Sequence, residues 1–474
     1  MTQSLTRNGP PDLLTVFDNS PLSARYWVLL VVLIVHSVVE LFDFFIVSFL
    51  VAIVGPLWHL TYGRTSLILL SAGVGQILGA MMLSRASDQW GRKPILILSM
   101  ILYALSAGAI SLIPDGGWLA FALLRFLVGV GYGGVSSAQT TLIVEITPTR
   151  YRTFISSAAG VLAPLGVVLA SVLVAFMLSF FGWRGLAALG VAPVLIAILL
   201  IFVAPESVRW LLSRGEGEKA RKIIAQFLNK PMDEVPLPEA KPIQRRKVRM
   251  RDLYSYPRQF WVIVSLSTGV GIAGFGVGLW GPTIVSLLLK IPPQAAAHYF
   301  IWVSLAGVLG RVLFSVLPAM IGRWKSALIS CWASALALAA AAVFHSAFLL
   351  GCPVFFLCLL VGALAYDGGF TNIVPYATEL YPVRLAGQGT GLCQAASGLA
   401  KLIGPAILAL VAGAGSILSP KATSASILPG FLLLSSFCVA AGVVLSFLRY
   451  ETHGKPLVVE TEDNLESRAQ VSAR

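Results

Sequence analysis

Charge is what this chain has least of. Only 12% of its 474 residues are Asp, Glu, Lys or Arg, against roughly a quarter in soluble domains. A chain of this size with so few ionic side chains is not an ordinary soluble protein. Cysteine is scarce too. The five (Cys331, Cys352, Cys358, Cys393, Cys438) lie in or beside apolar runs of the second half, and none has C-x-x-C spacing. Neither a disulfide framework nor a zinc site is expected. The polar stretch Met1 to Arg25 lacks a short apolar core with a small-residue cleavage site, so no signal peptide is read there. No nucleophile–base pair, metal-ligand spacing or nucleotide loop supports an enzyme, and no cofactor is expected.

What is plentiful is hydrocarbon. Hydrophobic residues make up 57% of the chain, and the mean hydropathy is +0.84. They fall in runs of roughly 20 residues, the length of a membrane-crossing helix and too long for the roughly 10-residue alternating strands of an outer-membrane barrel. The expected fold is an all-α membrane protein of twelve spans: 27–54, 65–84, 94–113, 118–142, 155–181, 185–204, 259–289, 296–320, 325–345, 348–374, 386–414 and 427–448. This divides the chain into a tail (1–26), a six-helix bundle (27–204), a charged linker (205–258), a second bundle (259–448) and a tail (449–474). Within the linker, 216–227 reads as a short amphipathic helix.

The net charge of +13 needs no polyanion partner, because its basic residues gather between apolar runs, as in Arg245-Arg246-Lys247. Arg85, Arg92 and Lys93 follow the second span, Arg150 and Arg152 the fourth, Arg323 and Lys325 the eighth, and Arg384 the tenth. Lys and Arg accumulate in cytoplasmic loops. Both termini are therefore expected in the cytoplasm, in a multi-pass protein of the cell inner membrane whose partners are lipid, protons and a small solute.

The halves repeat. Gly79…Gly91-Arg92 recurs as Gly310…Gly322-Arg323 at an offset of 322 − 91 = 231, and Glu145-x-x-Pro148-x-Arg150 as Glu379-x-x-Pro382-x-Arg384 at 379 − 145 = 234. Tyr132-Gly133-Gly134 falls on Tyr366-Asp367-Gly368. Parallel six-helix repeats place a binding site at their interface near the bilayer midplane.

These residues resemble the major facilitator superfamily over nearly the whole chain. Ser84-Arg85-Ala86-Ser87-Asp88-Gln89-Trp90-Gly91-Arg92-Lys93 is similar to its G-x-x-x-D-R-x-G-R-K loop, with Ser84 for Gly and Gln89 for a basic residue. The resemblance implies a cytoplasmic gate of Asp88, Gly91, Arg92, Lys93, Glu145, Arg150, Arg323, Glu379 and Arg384. Arg125-x-x-x-Gly129-x-Gly131 resembles the family's fourth-helix motif, whose Arg is associated with proton coupling. Pro205-Glu206-Ser207-Val208-Arg209-Trp210 and Glu451-Thr452-His453-Gly454 resemble sugar-porter signatures. The seventh helix, ending Trp280-Gly281-Pro282, is closer to the organic-acid and organic-ion branches, and Glu40-Leu41-Phe42-Asp43 resembles the D-G-F-D of aromatic acid–proton symporters.

A charge at the centre of a span costs roughly 2.5–3.5 kcal/mol on insertion scales, so each buried one needs a use. His36, Glu40 and Asp43 recur at i, i+4, i+7, one face of the first helix. A carboxyl in a low-dielectric site takes up a proton more readily, as a proton-coupled carrier requires. Asp43, Glu40, Arg125 and Asp367 are the proton-coupling candidates, with Arg125 as partner of Asp43 or Glu40. Substrate-binding candidates are His36, Tyr132, Gln139, Trp280, Asn372, Gln394 and Lys401, with Gln76 and Tyr376 further polar groups. Lys401 is read as a partner of Asp367, a contact to an anion, or a chain snorkelling to the interface. Arg311 is assigned to the latch. The run Gly129-x-Gly131-x-Gly133-Gly134 lies inside an apolar helix with no strand before it, which makes it a helix-packing surface. The expected function is a monomeric secondary transporter importing a small, possibly aromatic, organic acid by proton symport; an organic cation or drug carrier of the same fold is the alternative.

Overall fold

The computed structural model describes residues 22–148, 151, 160–229, 231–235, 250–382, 385–413 and 424–452. The first helices are α1 (Ala24–Leu57), α2 (Tyr62–Trp90), α3 (Arg92–Ala109) and α4 (Trp118–Ile146). Ser23 caps α1 by accepting the Tyr26 amide at 3.3 Å, and Thr61 caps α2 by accepting that of Arg64 at 3.3 Å, each supplying an acceptor to an otherwise unpaired amide.

The apolar stretch Gly160–Val203 runs 44 residues, about 66 Å as a straight helix and twice the hydrocarbon thickness. It turns at Gly182, whose φ of 61° and ψ of −177° interrupt the helix Leu165–Ala188. That backbone is essentially open to glycine alone. The fifth pass, α5, therefore ends at residue 181. The sixth, α6, spans 183–203 through the tight turn Leu189–Val191 and the helix Pro193–Val203. The second half holds α7 (Pro257–Leu289), α8 (Pro293–Ile321), α9 (Arg323–Val343), α10 (Val354–Leu380), α11 (Ala386–Gly413) and α12 (Ser424–Phe447).

The tenth helix starts later than the hydropathy placed it. Residues 348–353 form a tight hairpin, β1 (Phe348–Leu349) against β2 (Cys352–Pro353). Leu350 and Gly351 turn it with φ of 50° and 79°, and apolar content alone does not reveal the turn. Between the halves, the short helix Val208–Ser213 is capped by Ser207, and Gly217–Leu228 matches the amphipathic stretch read in the linker. The two share a small apolar core of Val208, Leu211, Ala220, Ile224, Ala225 and Val235.

Within the first half α4 packs on α2 and α3, and α5 on α1; within the second, α10 packs on α8 and α9, and α7 on α11 and α12. The halves meet along α5–α8, α2–α11 and α1–α7. Outward faces carry bare apolar side chains such as Phe202, Met320 and Phe447, a surface made for lipid. The large charged turns share one face with the linker, called the linker face below.

Candidate functional site

Helix α1 is apolar except for one polar seam that faces α3 and α4. His36 is fully buried: Nδ1 lies 2.6 Å from Gln139 Oε1 and Nε2 lies 3.0 Å from the Tyr103 hydroxyl. An amide oxygen only accepts, so Nδ1 donates to Gln139, and Nε2 is bonded to the Tyr103 hydroxyl. Gln139 Nε2 in turn donates to Ser37 Oγ at 2.9 Å and to the Leu33 carbonyl at 3.4 Å. Both residues were read as substrate contacts. Their polar atoms are instead consumed in joining α1 to α3 and α4.

Asp43, also buried, faces Arg125 of α4 with Oδ2 3.6 Å from Nη1. Arg125 also donates to the carbonyls of Asp43 (3.4 Å) and Phe44 (3.5 Å). The Tyr132 hydroxyl lies 2.9 Å from Asp43 Oδ2 and 2.6 Å from the Glu40 carbonyl. Tyr132 is buried and its ring stacks on Tyr103 at 4.9 Å. It serves the carboxylate, where the sequence had assigned it to substrate. A buried ion pair is costly to leave half-made, and here both members are locked between α1 and α4.

Glu40 points toward the junction of the halves. It hydrogen-bonds Ser136, and Lys401 and Asp43 are charged neighbours that act on it. Lys401 of α11 donates to Gln76 Oε1 of α2 at 3.0 Å, linking the two halves. Its ammonium lies 5.3 Å from the ring centre of Phe44 and 5.2 Å from that of Phe275, within cation–π range. Phe44, Phe45, Phe275 and Phe370 make one aromatic cluster, with Phe45 and Phe275 stacked 6.3 Å apart and Phe275 edge-on to Phe370 at 5.6 Å. Gln394 lies two turns from Lys401 on the same face of α11 and is exposed, whereas Trp280 is buried within α7.

Asp367 does not pair with Lys401. Its Oδ1 lies 3.5 Å from Arg311 Nη2, and the Arg311 guanidinium also donates to the Gly160 carbonyl at 2.7 Å and covers the Phe370 ring at 5.4 Å. Arg311 thus spans from the second half to the first.

At the linker face the two halves carry matching clusters. In the first, Arg92 lies 2.7 Å from Asp88 and 3.3 Å from Glu145. Lys93 donates to the Ile201 carbonyl at 2.7 Å. In the second, Arg323 lies 2.9 Å from Glu379. Gly91 and Gly322 turn the chain with φ of 109° and 97°. Arg150 and Arg384 lie outside the described residues. Asn372, read as a substrate contact, belongs to this cluster: its Nδ2 donates to the Arg323 carbonyl at 2.9 Å. The Tyr376 hydroxyl likewise reaches the Tyr450 carbonyl at 2.5 Å.

Two further carboxylates, absent from the gate residues inferred from sequence, complete these clusters. Glu206 accepts the amides of Arg92 (2.9 Å) and Lys93 (3.3 Å), and Glu451 those of Arg323 (2.9 Å) and Trp324 (3.3 Å). Beside them, Ser207 and Thr452 donate to Glu145 and Glu379. The signal was present: an acid followed by a hydroxyl residue stands just after the last helix of each half. Its offset, 451 − 206 = 245, differs from those of the other repeats, which hid the match.

Two matched bundles, with charged and aromatic side chains gathered where they meet, define a membrane transporter. The family model of the Major Facilitator Superfamily matches residues 32–405, and the chain belongs to that superfamily, whose members are transporters of small molecules and not enzymes. It is 24% identical over 460 residues to the niacin transporter NiaP of Acinetobacter baylyi, covering 94% of this chain and 99% of that one. It is 24% identical over 346 residues to the cis,cis-muconate transport protein of the same organism, covering 72% and 77%. Among solved structures, the partially occluded inward-open xylose transporter XylE from E. coli matches with a TM-score of 0.68 at 18% identity, covering 92% of this chain and 100% of that one. This last likeness concerns the fold.

Proposed function

We propose that the chain imports a small organic acid with a flat or aromatic body, driven by protons through alternating access. The observation that carries this reading is Lys401, an ammonium at the junction of the halves with Phe44 and Phe275 beside it and an amide oxygen, not a carboxylate, as its hydrogen-bond partner. Among the described residues its hydrogen-bond partner is the Gln76 amide oxygen, and Glu40 is the carboxyl acting on it. A carboxylate substrate would take the ammonium while its body lies on the phenylalanines, with Glu40 protonated in exchange. The named substrates of the two curated relatives, niacin and cis,cis-muconate, are small carboxylic acids and support the same class. The organic-cation reading finds less support, because of its three acids Asp43 and Asp367 each already face an arginine and Glu40 has Lys401 as a neighbouring cation.

The buried Asp43–Arg125 pair is the proton-coupling element: ionised Asp43 neutralises the guanidinium, and protonation releases it. Arg311 and Asp367 close the path nearer the linker face. The linker-face clusters hold that side shut in one state. We place this face and both termini on the cytoplasmic side of the inner membrane; the basic loops support that side. The units 1–26, 27–204, 205–258, 259–448 and 449–474 remain our division of the chain, and a monomer suffices because both halves of the site lie in one polypeptide. The test is uptake of labelled nicotinate, benzoate and a quaternary amine into proteoliposomes with and without an imposed pH gradient. Asp43→Asn is expected to abolish proton-driven accumulation of the acids while retaining counterflow. Accumulation by Asp43→Asn equal to that of the native protein rejects the coupling, and preference for the amine rejects the substrate class.

A further inference from the structure

Tyr132 has one hydroxyl proton and two acceptors in reach. The Glu40 carbonyl is the nearer, at 2.6 Å, and Asp43 Oδ2 stands at 2.9 Å. A single O–H donates well to only one of two diverging oxygens. If it turns to the Glu40 carbonyl, the contact with Asp43 is sound only when the carboxyl carries a proton and donates it to the Tyr132 oxygen. If Asp43 is ionised, the hydroxyl must turn to Oδ2 and release the carbonyl. The ring itself has little freedom. It is buried, stacked at 4.9 Å on Tyr103, and Tyr103 is held in turn by His36 at 3.0 Å. Rotation of the O–H is the motion left to it.

We infer that Tyr132 is the positioning residue of the proton switch, converting occupancy of Asp43 by a proton into making or breaking a hydrogen bond at the Glu40 carbonyl. The inference rests on the proton-coupled reading above. Its consequence is a physical link from proton to substrate. In an α-helix the carbonyl of residue 40 also receives the amide of residue 44, so the Tyr132 hydroxyl loads or unloads the turn that carries Phe44. Phe44 is edge-on to Tyr132 at 6.0 Å and flanks Lys401 at 5.3 Å. Arg125 is not committed to the carboxylate alone: it stands 3.6 Å from Asp43 Oδ2 and also donates to the Asp43 and Phe44 carbonyls, so it can keep partners when Asp43 takes up a proton. The charged and titratable groups facing Asp43 are Arg125 and Tyr132 from α4, Tyr103 from α3 and Glu40 from its own helix.

Tyr132→Phe keeps the ring and its stack and removes only the hydroxyl. The ionised carboxylate loses a charge-assisted donor, whereas the protonated form loses a neutral partner, and the former bond is the stronger. Half-maximal uptake is therefore expected at a proton concentration about tenfold lower, one pH unit higher, a change equal to about 1.4 kcal/mol. Counterflow is expected to persist. An unchanged or lowered half-point overturns the inference. If Tyr132→Phe does not reach the membrane, infrared difference spectra of the native protein at uptake pH are expected to show a carboxylic-acid C=O band that Asp43→Asn removes, and the lack of that band overturns it. Asp43→Asn separates the two levels. If it still accumulates substrate with protons, the coupling reading itself falls; if it does not, while Tyr132→Phe keeps the native pH profile, only the role of Tyr132 falls.

Discussion

Replacing Gly129 by alanine tests one of the closest helix contacts among the described residues. Helices α2 and α4 cross with their backbones in contact. A Cβ on Gly129 meets the Ala72 carbonyl oxygen at 2.0 Å, and one on Gly75 meets that of Phe126 at 2.1 Å. Ordinary contact begins at 3.4 Å, so the new methyl at 129 falls 3.4 − 2.0 = 1.4 Å short. The obstacle is the main chain of a regular helix, which cannot swing aside as a side chain does, so the helices must part. Overpacking costs about 1–3 kcal/mol, and a rigid obstacle puts this case at the upper end. Against it stands the gain of about 1 kcal/mol for alanine over glycine in a helix interior. Arg125 lies one turn earlier on α4, so the displacement also draws the guanidinium from Asp43. Gly129→Ala is expected to melt below the native protein in detergent and to lose proton-driven uptake. Gly391→Ala, in α11 with nothing within 4 Å of its added carbon, is expected to keep or raise the melting temperature. Adding Gly75→Ala to Gly129→Ala is expected to cost less than either alone, since the helices are already apart. If Gly129→Ala melts at or above the native temperature and transports normally, α2 and α4 do not touch in this way and the reasoning fails.

Lys401→Gln is expected to raise the half-saturating concentration of a carboxylate substrate about tenfold or more, as loss of a charged hydrogen bond worth roughly 1.5–3 kcal/mol requires, with Lys401→Arg intermediate because its planar fork fits the carboxylate and rings differently; initial uptake rates against concentration decide it, and an unchanged half-saturation refutes the anchor. Glu451→Gln and Glu206→Gln weaken carboxylates that cap the first turns of α9 and α3, a loss of about 0.5–2 kcal/mol each by the scale of helix caps. Both are expected to lower the melting temperature and to increase labelling of cysteines placed along the linker-face ends of α5 and α8. Unaltered labelling would mean that the clusters fix loops without holding the halves shut.

The fold was legible because lipid enforces it. Long apolar runs have one solution in a bilayer, and the repeats of Gly79, Gly91 and Arg92 betray the second bundle. What hydropathy does not register is backbone conformation. The hairpin at 348–353 and the break at Gly182 depend on φ values, not on apolar content. For the site, helical spacing set Glu40 and Asp43 on one face of α1 and family likeness offered Arg125 to either, and the structure sets it beside Asp43. The same spacing says nothing of what stands behind a residue: the ring nitrogens of His36 bond Tyr103 and Gln139. Asn372 was ambiguous for another reason: a buried amide in a helix is equally suited to a solute or to a loop, and here it bonds the Arg323 carbonyl. Lys401 and Asp367 lie on neighbouring helices, and only three-dimensional placement reveals that each has nearer partners.

The break in the repeat at residue 367 now has a steric explanation. Gly133 is obligatory where it stands, since a Cβ there meets Ala80 N at 2.2 Å and Gln76 O at 2.3 Å. No acid could be introduced at that position without parting α2 from α4. In the second half the same crossing divides the room the other way. By the first offset Gly307 corresponds to 307 − 231 = 76, the place of Gln76, and Arg311 to 311 − 231 = 80, the place of Ala80. Gly307 carries no side chain, and a Cβ there would lie 2.5 Å from Asp367 Oδ2, so the space filled by a glutamine in one half holds a carboxylate in the other. Gly79 and Gly310 keep the close approach in both, against the Val130 and Leu364 carbonyls at 2.1 Å. Asp367 and Arg311 are thus an ion pair inserted at a helix crossing whose twin is sealed by glycine. Only the second half can carry a charge there, and through the Gly160 carbonyl it uses that charge to reach the first.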